Sequence, residues 1–296
     1  MDLHSGLPYW IIRNSLWDYF HPLEKDLSTD VVIVGSGITG ALMAHELCHA
    51  GIKCCIVDKR SIATGSSAAS TALLQYEIDV PLCRMAKIIG EENAATAYHA
   101  CLQSISDIKR VLEETGVNAG FEQLPSLFYA SSAADNKLLE QEHEIRQKHK
   151  LPVNLLEKKK IREEYKVKTP GNALINEASA QMDAYRAATG LLAYHIKESG
   201  LKVFTHTSIK ECIETSDGCI MTTDRGHKIK CGYVIIATGF EAGQFLPQKN
   251  HGSDLYLCTR IASGSFRTPV ADTLPDLGNS RSVSIHPHKP IKTGSS

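Results

Sequence analysis

The fold is decided by the stretch Val31-Val32-Ile33-Val34-Gly35-Ser36-Gly37-Ile38-Thr39-Gly40. An apolar run of the kind that forms a buried strand passes directly into a G-x-G-x-x-G turn. Gly35 lets the chain turn tightly out of the strand, Gly37 lets the backbone approach a pyrophosphate, and Gly40 lets the next helix pack closely on the sheet. The N-terminus of that helix offers free N–H groups to phosphate. The pattern is typical of a dinucleotide-binding turn.

The residues on both sides of this glycine turn predict a complete βαβ unit. Small and apolar residues recur at helical spacing over residues 38–48, Gly51 is suited to end the helix, and residues 53–57 predict a second strand. Asp58 follows 18 residues after Gly40, near the offset at which a carboxylate accepts ribose hydroxyls, and its charge disfavours a 2′-phosphate. The alternative is a glycine-rich turn in an unrelated α/β protein, which gives no reason for the complete pattern.

Length and composition predict an ordinary soluble globular protein with room for about two domains. The 296 residues are 43% hydrophobic, and 32 basic residues nearly balance 33 acidic ones, so we expect neither a nucleic-acid partner nor an anionic membrane surface. No window has the apolar length of a membrane span, and the first residues lack the basic and apolar regions of a secretory signal. We therefore expect a cytoplasmic location.

The cysteine and histidine patterns favour structural roles over metal binding. The nine cysteines are scattered without a C-x-x-C pair, and Cys54 and Cys55 fall in a predicted buried strand, so reduced thiols are expected. His45 and His49 are four residues apart on the predicted helix, but no third ligand is near them in the sequence. We expect both to be helix-surface histidines and predict no metal site.

Parallel-sheet patterning stops after Asp58 and returns only near residue 233. The small-residue segment 61–72 predicts a helix packed against something flat or charged. Beyond it, helices are predicted at 91–115, 135–148, 161–165 and 184–199, and strands at 126–129, 173–176, 202–207 and 228–237. The last strand contains the buried-type run Tyr233-Val234-Ile235-Ile236 and ends in Ala237-Thr238-Gly239. A nucleotide-binding domain that is split by an inserted α+β domain accounts for this order.

This order sets the predicted domain boundaries. Residues 28–118 and 181–246 are assigned to the nucleotide-binding domain, and residues 119–180 and 247–262, with a last strand at 255–261, to a partial second domain. The tail 263–296 contains several prolines and little apolar periodicity, so we expect it to be disordered.

Several of these motifs resemble those of the D-amino-acid oxidase/glycine oxidase family of FAD-dependent oxidoreductases. The resemblance covers roughly residues 16–245 and rests on His21-Pro22-Leu23, the glycine turn, Arg60-Ser61-Ile62-Ala63-Thr64-Gly65-Ser66-Ser67 and Ala237-Thr238-Gly239. It implies an α/β fold in which a glutathione-reductase-like, Rossmann-type FAD/NAD(P)-binding domain carries an inserted α+β substrate domain. FAD is favoured over NAD as the cofactor, because the βαβ repeats of an NAD-dependent dehydrogenase should follow Asp58 directly.

The resemblance also implies which residues would bind FAD. The glycine turn would meet the pyrophosphate, the acid and two bases after it would surround the adenosine end, and the small and hydroxyl residues beyond would follow the ribityl chain to the flavin ring. These residues are Gly35, Gly37, Ile38, Thr39, Gly40, Asp58, Lys59, Arg60, Gly65, Ser66, Ser67, Ser70, Thr71, Leu73 and Gln75. Backbone groups around Ser208 and Ile209 would pair with adenine, and Thr238 and Gly239 would close over the nucleotide.

The chemistry implied by the family is oxidation of the CH–NH group of an amino acid or secondary amine to an imine, with electrons passing to flavin and then to dioxygen or another acceptor. Family members are longer, and the groups that bind the substrate carboxylate have no counterpart here, so the catalytic residues are unknown. Tyr185 and Arg186 fit the first turn of a helix better than a carboxylate site. A truncated, non-catalytic FAD-binding remnant or interaction protein is the alternative, and the oligomeric state is not indicated.

Overall fold

In the computed structural model, which describes residues 6–17, 20–244 and 281–284, the predicted βαβ unit is formed by the first two strands and the helix between them. In chain order the elements are α1 Tyr9–Asn14, β1 Leu27–Val34, α2 Ile38–His49, β2 Cys54–Val57, α3 Ser66–Ala69, β3 Leu73–Leu74, α4 Leu82–Ile89, α5 Glu91–Thr115, β4 Glu122–Tyr129, α6 Asn136–Lys148, β5 Asn154–Leu156, α7 Lys158–Glu164, β6 Ala173–Gln181, α8 Ala184–Ser199, β7 Lys202–Phe204, β8 Ile209–Thr215, β9 Gly218–Thr223, β10 Lys228–Ile236 and β11 Arg281–Ser284. Short 3-10 helices lie at Ala133–Asp135 and Gly239–Gln244. None of the described helices is both long and apolar enough to cross a membrane.

The chain divides into two compact units, each with its own sheet. The first unit comprises Met1–Ala72, Leu112–Ala119 and Asp183–Thr273, and the second comprises Leu73–Val111, Gly120–Met182 and Leu274–Ser296. This division differs from the boundaries drawn on the sequence mainly at residues 73–111, which belong to the second unit. The functional boundaries of the domains stay a prediction.

The sheet of the first unit has the strand order β7-β2-β1-β10-β9-β8. Its four strands β7, β2, β1 and β10 run parallel, and Val32 in the centre lies opposite Cys55 on one side and Val234 on the other. Val32 and Ile33 have no exposed surface, as expected for β-branched residues of a strand covered on both faces. The late return of the parallel sheet at Tyr233-Val234-Ile235-Ile236 is therefore confirmed.

Two glycines of the turn after β1 occupy positions that no other residue can take without displacement of the backbone. Gly35 has a φ of +110°, and a Cβ there would lie 2.4 Å from the carbonyl oxygen of Ala237. A Cβ on Gly40 would lie 2.0 Å from the carbonyl oxygen of Gly35. The turn thus packs against the end of β10 and against the first turn of α2, as the sequence pattern predicts for these two positions.

The helix predicted over the small-residue segment 61–72 is wrong for most of its length. Only Ser66–Ala69 are helical, as α3. Ala63 and Ala72 have φ angles of +54° and +52°, which no continuous right-handed helix contains. Leu73 and Leu74 then form strand β3.

The prediction that His45 lies on the helix surface is also wrong. His45 is 4% exposed, and its Nδ1 lies 3.0 Å from Nε2 of His195 on α8. Helix α2 packs closely on α8, so the face that carries His45 is covered. His49 is exposed, as expected.

The second unit is an antiparallel sheet with helices, in agreement with the predicted α+β patterning. Its strand order is β11-β4-β6-β3, and β5 pairs with residues 173–175 of β6 on the edge opposite to β4. Strand β11 pairs with β4 and lies within the predicted tail 263–296. The rest of that tail and the predicted strand 255–261 lie outside the described residues.

A buried ion network holds the helices of the second unit to its core. Arg146 on α6 is 1% exposed, and its Nε donates to Oε1 of Glu142 at 2.7 Å while Nη1 donates to Oε1 of Glu77 at 3.2 Å. The carboxylate of Glu142 also accepts the backbone N–H groups of Leu82 and Cys83, at the start of α4. Burial alone would lower the pKa of Arg146, but the nearby carboxylates hold it above its ordinary value.

We predict that Arg146→Met lowers the free energy of unfolding by about 3–5 kcal/mol, because it leaves two carboxylates without their buried counter-charge. Urea denaturation at neutral pH measures the effect. Arg162→Met, at an exposed position of α7, is the matched control and should change stability by less than about 0.5 kcal/mol. Equal effects of the two substitutions would contradict the assignment of the network as a structural element.

Candidate cofactor-binding site

A cavity of about 310 Å³ opens in the first unit at the carboxyl ends of β1, β2 and β10. In a parallel α/β sheet this edge is where ligands bind. Of the residues predicted to hold the cofactor, the following line it: Gly35, Gly37, Ile38, Thr39, Asp58, Lys59, Arg60, Gly65, Ser66, Ser67, Ser70, Ile209, Thr238 and Gly239. The structure therefore brings together residues from four separate stretches of the sequence.

The N-terminus of α2 forms one wall of the cavity. Its N-cap is Gly37, which has no side chain to satisfy the first N–H groups of the helix. The N–H of Ile38 donates to Oγ of Ser67 at 2.9 Å, and a Cβ on Gly37 would lie 3.0 Å from the same oxygen. The serine-rich segment thus lies directly against the glycine turn, and both present polar groups of the kind that bind phosphate.

The carboxylate of Asp58 is held by the turn that it faces. Its Oδ2 accepts the N–H of Ser36 at 2.7 Å and the hydroxyl of Ser36 at 2.6 Å, and its Oδ1 accepts the N–H of Arg60 at 2.8 Å. Three of roughly four acceptor positions of the carboxylate are therefore used within the protein. Asp58 orders the glycine turn, and its predicted contact with a ribose hydroxyl stays a prediction.

The two bases after Asp58 form ion pairs with one acidic residue that the sequence analysis did not identify. Nζ of Lys59 lies 2.7 Å from Oε1 of Glu241, and Nη2 of Arg60 lies 3.3 Å from the same oxygen. Burial would raise the pKa of Glu241, but hydrogen bonds from these cations hold it well below its usual range. Glu241 is separated from Lys59 by more than 180 residues, and no local pattern indicates the pair.

Thr238 contributes a polar atom without a partner. Its hydroxyl is buried, yet it makes no hydrogen bond to any of the described residues. Such groups in folded proteins are usually satisfied, and an unsatisfied one costs about 1–3 kcal/mol. Because Thr238 lines the cavity, a bound ligand with an oxygen or nitrogen at this point would supply the missing partner.

Four predicted site residues lie outside this cavity. Gly40 is buried beneath the turn, where it allows the helix to approach. Thr71 is exposed, and Leu73 and Gln75 belong to the second unit. The cavity is also lined by Ser208, near which the adenine contact is predicted, and by residues that the prediction left out: Val34, Val57, Ala63, Thr207, Ala237 and Glu241. Val34, Val57 and Ala237 lie at the carboxyl ends of β1, β2 and β10. Prediction of these strands could therefore have identified them as residues of the site.

Tyr185 and Arg186 take the structural roles that the sequence favoured. The N–H of Arg186 donates to Oδ1 of Asp183, the N-cap of α8, at 2.9 Å. The hydroxyl of Tyr185 accepts the backbone N–H of Trp17 at 2.9 Å, and the side chain is 2% exposed. These contacts fix the start of the helix and the N-terminal segment.

Comparison with known proteins agrees with this geometry. The family model described as "FAD dependent oxidoreductase" matches residues 30–290 of the chain. The Bacillus subtilis (strain 168) protein YhfW, which bears the name of a Rieske 2Fe-2S iron-sulfur protein, is 23% identical over 232 residues, which are 78% of this chain and 44% of that protein.

Two solved structures illustrate the likeness of fold. L-proline dehydrogenase from P. horikoshii has a TM-score of 0.60 at 23% identity, over 74% of this chain and 55% of its own. Glycine oxidase from Geobacillus kaustophilus has a TM-score of 0.62 at 22% identity, over 73% of this chain and 57% of its own. The expected fold class, a Rossmann-type FAD-binding α/β fold, is confirmed. The chain spans about half the length of these relatives.

We predict that Asp58→Asn lowers the free energy of unfolding by about 1.5–3 kcal/mol, because an amide nitrogen cannot accept the hydrogen bonds that the carboxylate receives. Urea denaturation before and after the substitution measures the change. Asp217→Asn, at an exposed position, is the control and should have little effect. An unchanged stability of the Asp58 variant would show that the carboxylate does not order the turn.

Proposed function

The chain belongs to the FAD dependent oxidoreductase family, and we propose that it binds FAD through its first unit and oxidises the CH–NH group of an amino acid or secondary amine to an imine. The proposal has two parts, cofactor binding and chemistry. They rest on different observations and can fail separately.

The observation that supports FAD binding most strongly is the composition of the cavity wall. The N-terminus of α2, Ser67 and Thr238 all line one cavity at the ends of parallel strands, and the Thr238 hydroxyl has no partner among the described residues. A long anionic ligand with many oxygen atoms satisfies such a set of groups. An apolar ligand would leave the Thr238 hydroxyl without a partner.

In this proposal each stretch of the cavity has its own part of the cofactor to hold. The glycine turn from Gly35 to Gly40 is proposed to bind the pyrophosphate, the ordered carboxylate of Asp58 to face the ribose, and the backbone near Ile209 to meet the adenine. Gly65, Ser66 and Ser70 follow the phosphate and ribityl chain. Leu73 and Gln75 are proposed to lie near the flavin ring.

The proposed chemistry is that of the cofactor, since bound FAD accepts a hydride equivalent from a carbon next to nitrogen. The protein binds and orients the amine, and the second unit is proposed to supply that substrate surface. Relatives named for L-proline and glycine support an amino acid or secondary amine as the substrate class. Dioxygen or another compound is the final electron acceptor in this proposal, and the substrate itself is not specified further.

A non-catalytic FAD-binding or interaction protein is the alternative function. The groups that would recognise a substrate carboxylate were not found by sequence, so binding of FAD does not by itself imply turnover. One experiment separates the two functions. The protein is purified, its visible absorbance is examined for flavin, and it is reconstituted with FAD if it is colourless.

The reconstituted protein is then mixed anaerobically with glycine, proline, other L- and D-amino acids and N-methylated amines. The proposal expects the absorbance of oxidised flavin to bleach with at least one of them. A protein that binds FAD but is bleached by none supports the non-catalytic alternative. A protein that cannot be reconstituted with FAD contradicts the enzyme function and FAD binding, and leaves only the interaction protein.

We predict that Thr238→Val weakens FAD binding by about two- to tenfold, because the variant cannot form the hydrogen bond that the ligand would provide. Stability of the FAD-free protein should stay the same or rise, since a buried unsatisfied hydroxyl is removed. Thr223→Val is the matched control. The hydroxyl of Thr223 already accepts the N–H of His227, so this variant should lose stability and keep its FAD affinity. Unchanged FAD affinity in the Thr238 variant would contradict the role of this hydroxyl.

A further inference from the structure

A second group of reactive side chains lies in the first unit, at the far end of α2 from the glycine turn. Cys48, on the last turn of α2, and Cys54, at the start of β2, approach each other with their Sγ atoms 3.9 Å apart. Both are partly exposed to solvent. The short connection between them turns at Gly51, which has a φ of +71°.

A hydrogen-bonded row of side chains leads away from this pair across α8. Ser199 lies near Cys48, Nδ1 of His195 lies 3.0 Å from Oγ of Ser199, and Nε2 of His195 lies 3.0 Å from Nδ1 of His45. His195 is 3% exposed, and burial, together with His45 and His49, lowers its pKa. His195 is therefore neutral at pH 7 and has a ring nitrogen that can accept a proton through Ser199.

The two thiols differ in pKa because their surroundings differ. The contact with Cys54 lowers the pKa of Cys48, burial opposes this change, and Ser199 adds to the lowering, so that the pKa is about 7. The same contact and burial raise the pKa of Cys54. Cys48 is thus the better nucleophile, because the thiolate and not the thiol attacks an electrophile.

We propose that Cys48 and Cys54 form a dithiol site that hydroperoxides oxidise to a disulfide. Cys48 is the attacking thiol, Cys54 is the resolving thiol, and Ser199 with His195 is the positioning pair that accepts the proton of Cys48. The site is separate from the cavity at the other end of α2. The proposal does not depend on the proposed function.

The reaction balances with the peroxide as the only oxidant. The Cys48 thiolate attacks the terminal oxygen of ROOH and the O–O bond breaks, which gives a sulfenic acid on Cys48 and an alkoxide that takes up the proton released by the thiol, forming ROH. Cys54 then attacks the sulfenic sulfur, the S–S bond forms and the S–O bond breaks, and the proton of Cys54 leaves with the hydroxide as water. Two thiols lose two electrons, and the peroxide gains them.

The geometry allows this bond after a small movement. A disulfide has an S–S distance of about 2.05 Å, so the two sulfur atoms must come closer by side-chain rotation. The closed loop contains only the C-terminus of α2, the turn at Gly51 and the first residue of β2. Peptide mass spectrometry can detect the bond directly, because trypsin cleaves after Lys53 and leaves the two cysteines on separate peptides.

The test uses the whole chain and one equivalent of hydrogen peroxide at pH 7. We expect the peptides of Cys48 and Cys54 to become linked, with the loss of two hydrogens. Cys55→Ala is the matched control for the neighbouring thiol and should leave the link intact, since Cys55 is 1% exposed in the core. In Cys54→Ser we expect a sulfenic acid on Cys48 that dimedone traps, and in Cys48→Ser none on Cys54.

Two results would overturn the proposal. One is oxidation of Cys212, an exposed residue of β8, before Cys48, since exposure alone would then decide reactivity. The other is the absence of the linked peptides in the wild-type chain together with no dimedone adduct in Cys54→Ser. The test remains informative if a variant folds poorly, because the order of oxidation and the linked peptides are measured on the wild-type chain.

The role of Ser199 is tested separately, by the pH dependence of Cys48 alkylation. We expect the rate of alkylation of Cys48 by iodoacetamide to rise with pH about a midpoint near 7, and Ser199→Ala to move that midpoint upward, so that alkylation at pH 7 slows about three- to tenfold. The groups near Cys48 are Cys54 and Ser199; Cys55 lies near Cys54, and His45 and His49 lie near His195. An unchanged midpoint would remove Ser199 from the site.

Discussion

The close approach of three strand ends at Gly35 is the constraint on which the first unit depends. The N–H of Gly35 donates to the carbonyl of Val57, and the N–H of Ala237 donates to the carbonyl of Val34. With a Cβ at Gly35 the end of β10 could not come this near. Because it does, the glycine turn, the acid after β2 and the Thr238 turn after β10 share one edge of the sheet, and a cavity forms between them.

The polar groups around that cavity fall into two kinds. Those of Asp58, Ser36, Lys59, Arg60 and Glu241 already have partners within the protein, and they hold the walls in place. Thr238, which lines the cavity, has a buried hydroxyl without a partner among the described residues, and the N-cap of α2 is Gly37, which offers no capping side chain. A site whose supporting groups are already satisfied within the protein is prepared for a ligand before the ligand arrives. Little reorganisation is then needed on binding.

The features predicted correctly from the sequence are those that depend on residues close together in the chain. The βαβ unit, the glycine positions and the late parallel strand follow from residue types that suit only one backbone path. The small-residue helix failed because the positive φ of Ala63 and Ala72 is set by packing and not by propensity. The hairpin of β8 and β9 was missed because β8 is exposed along nearly all its length and shows no apolar alternation. Contacts between residues far apart in the chain, such as Lys59 with Glu241 or His45 with His195, cannot be predicted from a single sequence.

The pairing of β1 with β10 delays the completion of the first sheet during synthesis. Val32 pairs with Val234, so about 200 residues must be synthesised before β1 obtains its second neighbour. At about 5–20 residues per second this takes roughly 10–40 s on the ribosome. During that interval β1 has an open, apolar edge of β-branched residues, which is the kind of edge that pairs with other chains. The tendency of the protein to aggregate during synthesis, and its need for chaperones, should therefore increase with the number of residues between β1 and β10.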